Sequence, residues 1–457
     1  MTVEGFVANR LAAAPGEWRR LVGGKFRRWI FYRLRSILRK FLVGGKTRLV
    51  IVPGLRGVGK STVLWQIYGA LLEEGMDPSR VLHLPVDQML AYTGSDSVLE
   101  AYEAFSLHSR GRRVMLIDEI TYSGRWPLEL KVLHDRDPDT AFVVAGSSSL
   151  HLRVAESADL ARRAVVEPLF PMSFGEYLGM REALGPVKVA RDLEEAIYSL
   201  PPGEALERLR RVEEDVISAS RGFEPDRDLR EFLEVGGLPF SALADDRLVA
   251  WRQVVDTVLR AVDVDLRGVS SFDQETVIKA RRLVYSLALS QGAAVNLARL
   301  AREIGMDKKT LLRVVDALER CELIFRVHPA GERATRVRVH KAYFATPTLR
   351  VAIRREAGFQ TDSLGLLAEE AVAGSLRKAT FLGRGGFGGV GYLPTDGEVD
   401  FVLEGPAGRR MRVEVGVGRK ERGAVSRVGG RRIVVHGRGL KLEGDILFIP
   451  LWLFLLI

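Results

Sequence analysis

The chain has 457 residues, 47% hydrophobic and 28% charged, and its 68 Lys and Arg against 58 Asp and Glu leave a net charge of +10. That length exceeds what one hydrophobic core sustains, so roughly two to four domains are expected, and the apolar fraction excludes a disordered chain. A lone cysteine, Cys321, excludes a disulfide framework, while the absence of ~18 uninterrupted apolar residues or a cleavable leader pattern excludes membrane insertion and gives a cytoplasmic expectation.

Between Arg19 and Lys46 roughly ten basic residues occur without one acid, a charge asymmetry suited to polyanions. In the same stretch Val22, Phe26, Trp29, Ile30, Leu34, Ile37, Leu38 and Phe41 recur at helical spacing, which predicts one amphipathic helix from Glu17 to Leu42 within an N-terminal segment 1–46. Its arginine face is either solvated above a core or turned to DNA, with a membrane-surface helix as a third reading. Short apolar runs at 48–53, 81–85, 114–117 and 141–145 alternate with helical patterns. The fold class is therefore α/β, with a parallel sheet covered by helices on both faces across 47–175. Arginine greatly outnumbers lysine and glutamine is scarce, usage that hints at a thermophile.

Between the first of those strands and a helix start lies Gly54-Leu-Arg-Gly57-Val-Gly59-Lys60-Ser61, which matches G-x-x-x-x-G-K-[ST]. Glycines let backbone N–H groups close around phosphate oxygens, and the helix start adds partial positive charge. Lys60 would bridge the outer phosphates of ATP, Ser61 would ligate Mg2+, and Thr62 would add a phosphate contact. Further on, Val114-Met-Leu-Ile117 ends in Asp118 and Glu119. Asp118 would hold the metal through water, and Glu119 would orient and deprotonate the attacking water. Ser147, following the strand at 141–145, sits where a polar side chain can sense the outer phosphate.

With those blocks in hand, Leu116-Ile-Asp-Glu-Ile120, Gly124-Arg-Trp126, Ala145-Gly-Ser-Ser-Ser149, Leu160-Ala-Arg-Arg163 and Phe170-Pro-Met-Ser-Phe-Gly-Glu-Tyr177 resemble the archaeal and bacterial AAA-type ATPases of the Cdc6/STAND-related group. In the family the block corresponding to Leu160-Ala-Arg-Arg163 usually reads Leu-Ala-Gly-Arg. The resemblance continues through Val235-Gly-Gly-Leu-Pro239 and covers most of the chain. It implies that Arg163 contacts nucleotide across a subunit boundary; a surface cation or a salt bridge within the chain are the alternatives.

Downstream, 176–270 is charged and helical, a lid. Within 271–350, Asn296 to Glu319 spells two amphipathic helices joined by a turn at Gly305, a helix-turn-helix pattern. Asp307 would cap the second helix, which presents Lys308, Lys309 and Arg313 where a major groove would be met. A basic hairpin follows, with Arg333, Arg336, Arg338 and Lys341 on one wing, and completes a winged helix that serves DNA or protein contacts. Cys321 reads as a packed thiol at a helix end. The last segment, 351–457, is similar to the restriction-endonuclease-like domain that ends many members of the family. That similarity implies carboxylates at Glu369, Asp400 and Glu414 converging on a metal. Gly416 stands where the motif's lysine belongs, with Lys420 the nearest substitute, so the nuclease site is expected to be degenerate. The terminal run Ile446–Ile457 reads as a buried strand.

Together these patterns give an ATP-hydrolysing, DNA-associated, self-associating ATPase in which nucleotide state changes how the winged helix and tail engage DNA. A STAND-like assembly switch and an ATP-dependent nuclease are the alternatives.

Overall fold

The structure, a computed structural model, describes all residues except 147–159, 161, 183–188, 221, 267–271, 331–339, 360–362, 394–398 and 417–429. The chain divides into two compact units, Met1–Phe170 and Pro171–Ile457.

In the first unit the single helix expected from Glu17 to Leu42 is corrected to two, α1 (Val3–Val22) and α2 (Trp29–Leu42). The apolar spacing runs in phase through both, but Gly23 and Gly24 stop α1. Thr2 starts it, its hydroxyl accepting from Gly5 N at 3.1 Å. Ile30, Phe31, Leu34, Leu38 and Phe41 of α2 are buried, as the periodicity requires. The basic face is largely engaged within the unit: Arg33 pairs with Glu167, and Arg35 and Arg39 both pair with Glu74. The pairs on Glu74 are partly exposed and contribute little stability individually, whereas Glu167 is buried; together they answer the arginine face from inside the protein.

The sheet contains β1 (Leu49–Pro53), β2 (Val81–Pro85), β3 (Arg113–Asp118), β4 (Thr140–Gly146) and β5 (Val165–Val166), in the order β2-β3-β4-β1-β5. Every pairing is parallel. Parallel strands buried on both faces read as continuous apolar runs rather than alternating ones, and the residues of β1, β2 and β4 are all buried. The helices α3 (Lys60–Glu73), α4 (Val86–Thr93), α5 (Val98–Ser106) and α6 (Trp126–Arg136) connect them.

The second unit opens with α7 (Phe174–Met180), whose capping box has Ser173 Oγ accepting from Glu176 N at 3.3 Å and Ser173 N donating to Glu176 Oε2 at 3.1 Å. Helices α8 (Ala190–Tyr198), α9 (Pro202–Ala219), α10 (Pro225–Glu231), α11 (Pro239–Ala242) and α12 (Arg247–Arg260) follow. The Val235-Gly-Gly-Leu-Pro stretch joins distant segments: Gly237 N donates to Thr348 Oγ1 at 2.9 Å, and Met172 N donates to Gly237 O at 2.9 Å. Next come α13 (Gln274–Leu289), β6 (Ala294–Val295), α14 (Leu297–Ile304), α15 (Lys308–Arg320), β7 (Ile324–Pro329) and β8 (His340–Phe344), with β8 antiparallel to both β6 and β7. The remainder is α16 (Pro347–Glu356), α17 (Leu364–Phe381), β9 (Gly389–Leu393), β10 (Val399–Glu404), β11 (Arg410–Gly416), β12 (Arg431–His436), β13 (Lys441–Glu443), β14 (Ile446–Pro450) and α18 (Leu451–Phe454).

These strands form one sheet of nine, β13-β14-β12-β11-β10-β9-β7-β8-β6, joined where β7 runs parallel to β9 through His328↔Gly391 and Pro329↔Tyr392. One buried apolar cluster extends from Met172 through Phe325, Tyr343, Val372 and Phe401 to Ile457. The segments read as lid and C-terminal domain therefore share a core, to which β7 and β8 add Phe325, Val327 and Tyr343. Cys321 is buried at the end of α15, and burial pushes its thiol up. The terminal run is a buried strand only to Pro450; Leu451–Phe454 turn helical, and the chain stays in the core to Ile457. Among the described residues no helix is long and apolar enough to cross a membrane.

Candidate nucleotide-binding site

Residues 54–59 leave β1 and enter α3 as a loop whose shape rests on its glycines. Gly57 and Gly59 have φ of 82° and 97°, in the left-handed region that a Cβ disfavours. A Cβ on Gly54 would lie 2.6 Å from the carbonyl oxygen of Leu169, so that position also excludes a side chain. The first N–H groups of α3 have no partner inside the helix, and Gly59 brings no side chain to cap them. Lys60 is buried, and its Nζ donates to the carbonyls of Gly54 at 3.0 Å and Leu55 at 3.2 Å. Thr62 is half-buried in the first turn of α3.

Asp118 ends β3 under cover. Its Oδ1 accepts from Glu119 N at 3.0 Å. Burial pushes its carboxyl up to about 6, against a hydrogen bond from Ser61 and the charge of Lys60, which pull it down, while the charge of Glu119 pushes it up. Glu119 is half-buried with φ of 52°. A left-handed conformation costs a non-glycine residue roughly 1–2 kcal/mol, and such strain concentrates at working sites. Pairings Pro85↔Asp118, Ile117↔Val144 and Pro53↔Gly146 bring the carboxyl ends of the central strands to one edge of the sheet. There Lys60, Ser61, Asp118 and Glu119 meet. Ser147, next in sequence after β4, lies outside the described residues.

The residues that would receive magnesium fit it chemically. A hard divalent cation takes oxygen donors, and here the Ser61 hydroxyl contacts a carboxyl whose charge burial disfavours. A cation would relieve that penalty.

Arg163 is engaged within its own unit. Its Nε and Nη2 contact Asp135 Oδ1 and Oδ2 at 2.7 and 2.9 Å, a bidentate pair with α6.

At the helix-turn-helix, Asp307 caps α15 by accepting from Lys309 N at 2.9 Å and Thr310 N at 3.0 Å, and Lys308, Lys309 and Arg313 are exposed. Arg333, Arg336 and Arg338 lie outside the described residues. Lys341, expected beside them on the wing, is corrected: it is 4% exposed and turned inward, with Nζ 3.2 Å from Glu369 Oε1 and 3.4 Å from Asp400 Oδ1. Tyr343 also donates to Glu369, at 2.6 Å.

Of the three carboxylates expected to converge on a metal, Glu369 and Asp400 come together and Glu414 does not. Met411 and Val413 on β11 face the core shared with α17, so strand alternation turns Glu414 to the opposite face, where its register partner Val434 packs with Phe448. Asp400 Oδ2 instead accepts from Val415 N at 2.8 Å. Among the described residues no group of three or more His, Cys, Asp or Glu is placed to hold a metal. A divalent cation does not fit this cluster, whose cationic place is taken by an ammonium from β8. Lys420 lies outside the described residues.

One contributor carried no signal in the sequence: Arg28, in the linker before α2, is buried and donates to the carbonyls of Val58 at 2.9 Å and Phe170 at 2.8 Å.

Comparison with known proteins agrees with the first unit. Residues 46–178 match a family described as an AAA domain, and 226–361 match a domain of unknown function, DUF8612. The uncharacterized protein MJ1637 of Methanocaldococcus jannaschii is 34% identical over 464 residues, spanning 99% of this chain and 93% of its own. Solved structures with similarity include the Aeropyrum pernix Orc1 protein in complex with DNA, 13% identical with a TM-score of 0.31 over 72% of this chain and 91% of that one. Another is the Thermotoga maritima RuvB Holliday junction branch migration motor, 15% identical with a TM-score of 0.30 over 74% and 96%. Overlap that low lends no argument about function.

Proposed function

The chain belongs to the family of the Methanocaldococcus jannaschii protein MJ1637, with an AAA-type P-loop domain in its first unit, and on that premise we propose that it binds ATP with magnesium, hydrolyses it and works on DNA. The observation that carries the proposal is the meeting of Lys60, Ser61, Asp118 and Glu119 at one edge of the parallel sheet, with Glu119 held at φ of 52°.

The N–H groups of 57–61 would receive the phosphates. Lys60, whose ammonium rests on two loop carbonyls, would exchange them for phosphate oxygens. Ser61 and Asp118 would hold magnesium, which supplies charge neutralisation at the phosphates. Glu119 would orient a water for in-line attack and accept its proton. Thr62 and Ser147 would contribute phosphate contacts, and Arg163 would reach nucleotide only after leaving Asp135.

DNA association is supported by the order of α13, β6, α14, α15, β7 and β8, that of a winged helix, and by the exposed Lys308, Lys309 and Arg313 at the start of its second helix. Self-association belongs to the same proposal, supported by Tyr122, Leu128 and Val132, large apolar side chains left 47%, 58% and 41% exposed close after Glu119.

The test is ATP turnover with and without duplex DNA at low salt, with Glu119→Gln as control. Stimulation by DNA that disappears when Lys308, Lys309 and Arg313 are all changed to Gln supports the proposal. No DNA binding at low salt sinks its DNA part.

A further inference from the structure

Arg28 belongs to neither the motif nor the basic helix face, yet it is one of the few buried arginines, 5% exposed. Its two nitrogens reach different segments: Nη1 donates to Val58 O at 2.9 Å and Nη2 to Phe170 O at 2.8 Å. The linker that carries Arg28 is fastened in turn, because Gln66 Nε2 on α3 donates to the carbonyls of Lys25 at 3.3 Å and Phe26 at 2.9 Å. Arg28 therefore approaches the phosphate loop from a fixed base.

Val58 stands between the two left-handed glycines, and its carbonyl shares a peptide plane with the N–H of Gly59. In a trans peptide the two point in opposite directions. A guanidinium that draws the Val58 carbonyl toward itself thereby aims the Gly59 N–H away, out of the loop's far side. Without that anchor, flanking glycines with wide backbone freedom let the plane rotate. The buried positive charge adds an attraction for a polyanion that solvent screens poorly.

We infer that Arg28 is a positioning residue for the nucleotide, acting through the Val58 carbonyl to hold the Gly59 N–H toward the phosphates. The inference rests on the proposal that residues 54–61 bind ATP. Once the anchor is gone, binding itself must order the Val58–Gly59 plane, and a cost of the size of fixing one residue's backbone weakens affinity roughly tenfold. A staple that merely held the linker in place would change stability and leave nucleotide affinity alone.

The experiment titrates full-length protein with a fluorescent N-methylanthraniloyl ATP and magnesium, comparing wild type, Arg28→Ala, Arg28→Lys and Lys60→Ala, with turnover measured in parallel. Arg28→Ala is expected to raise Kd and KM roughly tenfold with a smaller change in kcat. Arg28→Lys, whose single ammonium reaches one carbonyl at a time, is expected to fall between. A folded Arg28→Ala protein that binds within twofold of wild type overturns the inference. If Arg28→Ala does not fold, Arg28→Lys decides: wild-type affinity overturns, a severalfold loss supports. Wild type that fails to bind the probe, or binds it no better than Lys60→Ala, overturns the ATP proposal and the inference with it.

Discussion

Lys341 and Asp400, 59 positions apart in the chain, meet with Nζ 3.4 Å from Oδ1 close to the joint between β7 and β9. Glu369 completes the group at 3.2 Å, and the rings of Tyr392 and Phe401 lie 5.4 and 6.0 Å from the ammonium. Taking away the cation strands two carboxylates where little water reaches. Breaking a buried pair from one side costs about 3–5 kcal/mol, so Lys341→Met should lose about that much in urea unfolding. Adding Glu369→Gln and Asp400→Asn should recover most of it. A loss below about 1 kcal/mol for Lys341→Met would mean that the group does not hold the sheet together.

Asp118 makes nucleotide-free stability depend on pH. Burial pushes its carboxyl up to about 6, whereas in the unfolded chain an aspartate titrates near 3.9. Between those values the folded state holds more protons than the unfolded one, so stability falls as pH rises through the window and levels off above about 6. The difference amounts to about 3 kcal/mol. Asp118→Asn, which carries no charge, should flatten this dependence, raise the melting temperature of the nucleotide-free protein at pH 7.5 and abolish hydrolysis. An unchanged melting profile would show that the carboxyl is not held in a disfavoured charge state.

Lys308, Lys309 and Arg313 are exposed, so changing them to Gln should leave the melting temperature within about a degree. If each neutralises a phosphate, the slope of log K against log salt should become shallower by roughly 0.9 per residue removed. Equal slopes for wild type and the triple variant would place the DNA contact elsewhere.

What the sequence could reveal depended on how local each signal was. The phosphate loop and Asp118–Glu119 were legible because a buried parallel strand is a short continuous apolar run and its end fixes where polar residues emerge. The break between α1 and α2 was hidden because Val22, Phe26 and Trp29 keep helical phase across Gly23–Gly24. Lys341 looked like one more cation in a basic hairpin, since nothing nearby in sequence marks it as a lysine that turns inward until Glu369 and Asp400 are in place. Arg28 was lost among roughly ten basic neighbours, its role set by carbonyls that offer no side-chain pattern. Glu414 misled for the converse reason: a motif spacing fits either face of a strand, and the packing of Met411 and Val413 selects the wrong one for a metal.

The most direct measurement compares magnesium-dependent ATP binding and single-turnover hydrolysis for wild type, Lys60→Ala and Glu119→Gln. Lys60→Ala should bind poorly. Glu119→Gln should bind ATP about as tightly as wild type yet hydrolyse it roughly 10²–10⁴-fold more slowly, the range for losing a general base. Hydrolysis by Glu119→Gln at the wild-type rate, or undiminished binding by Lys60→Ala, would contradict the assignment of this strand edge as the ATPase centre.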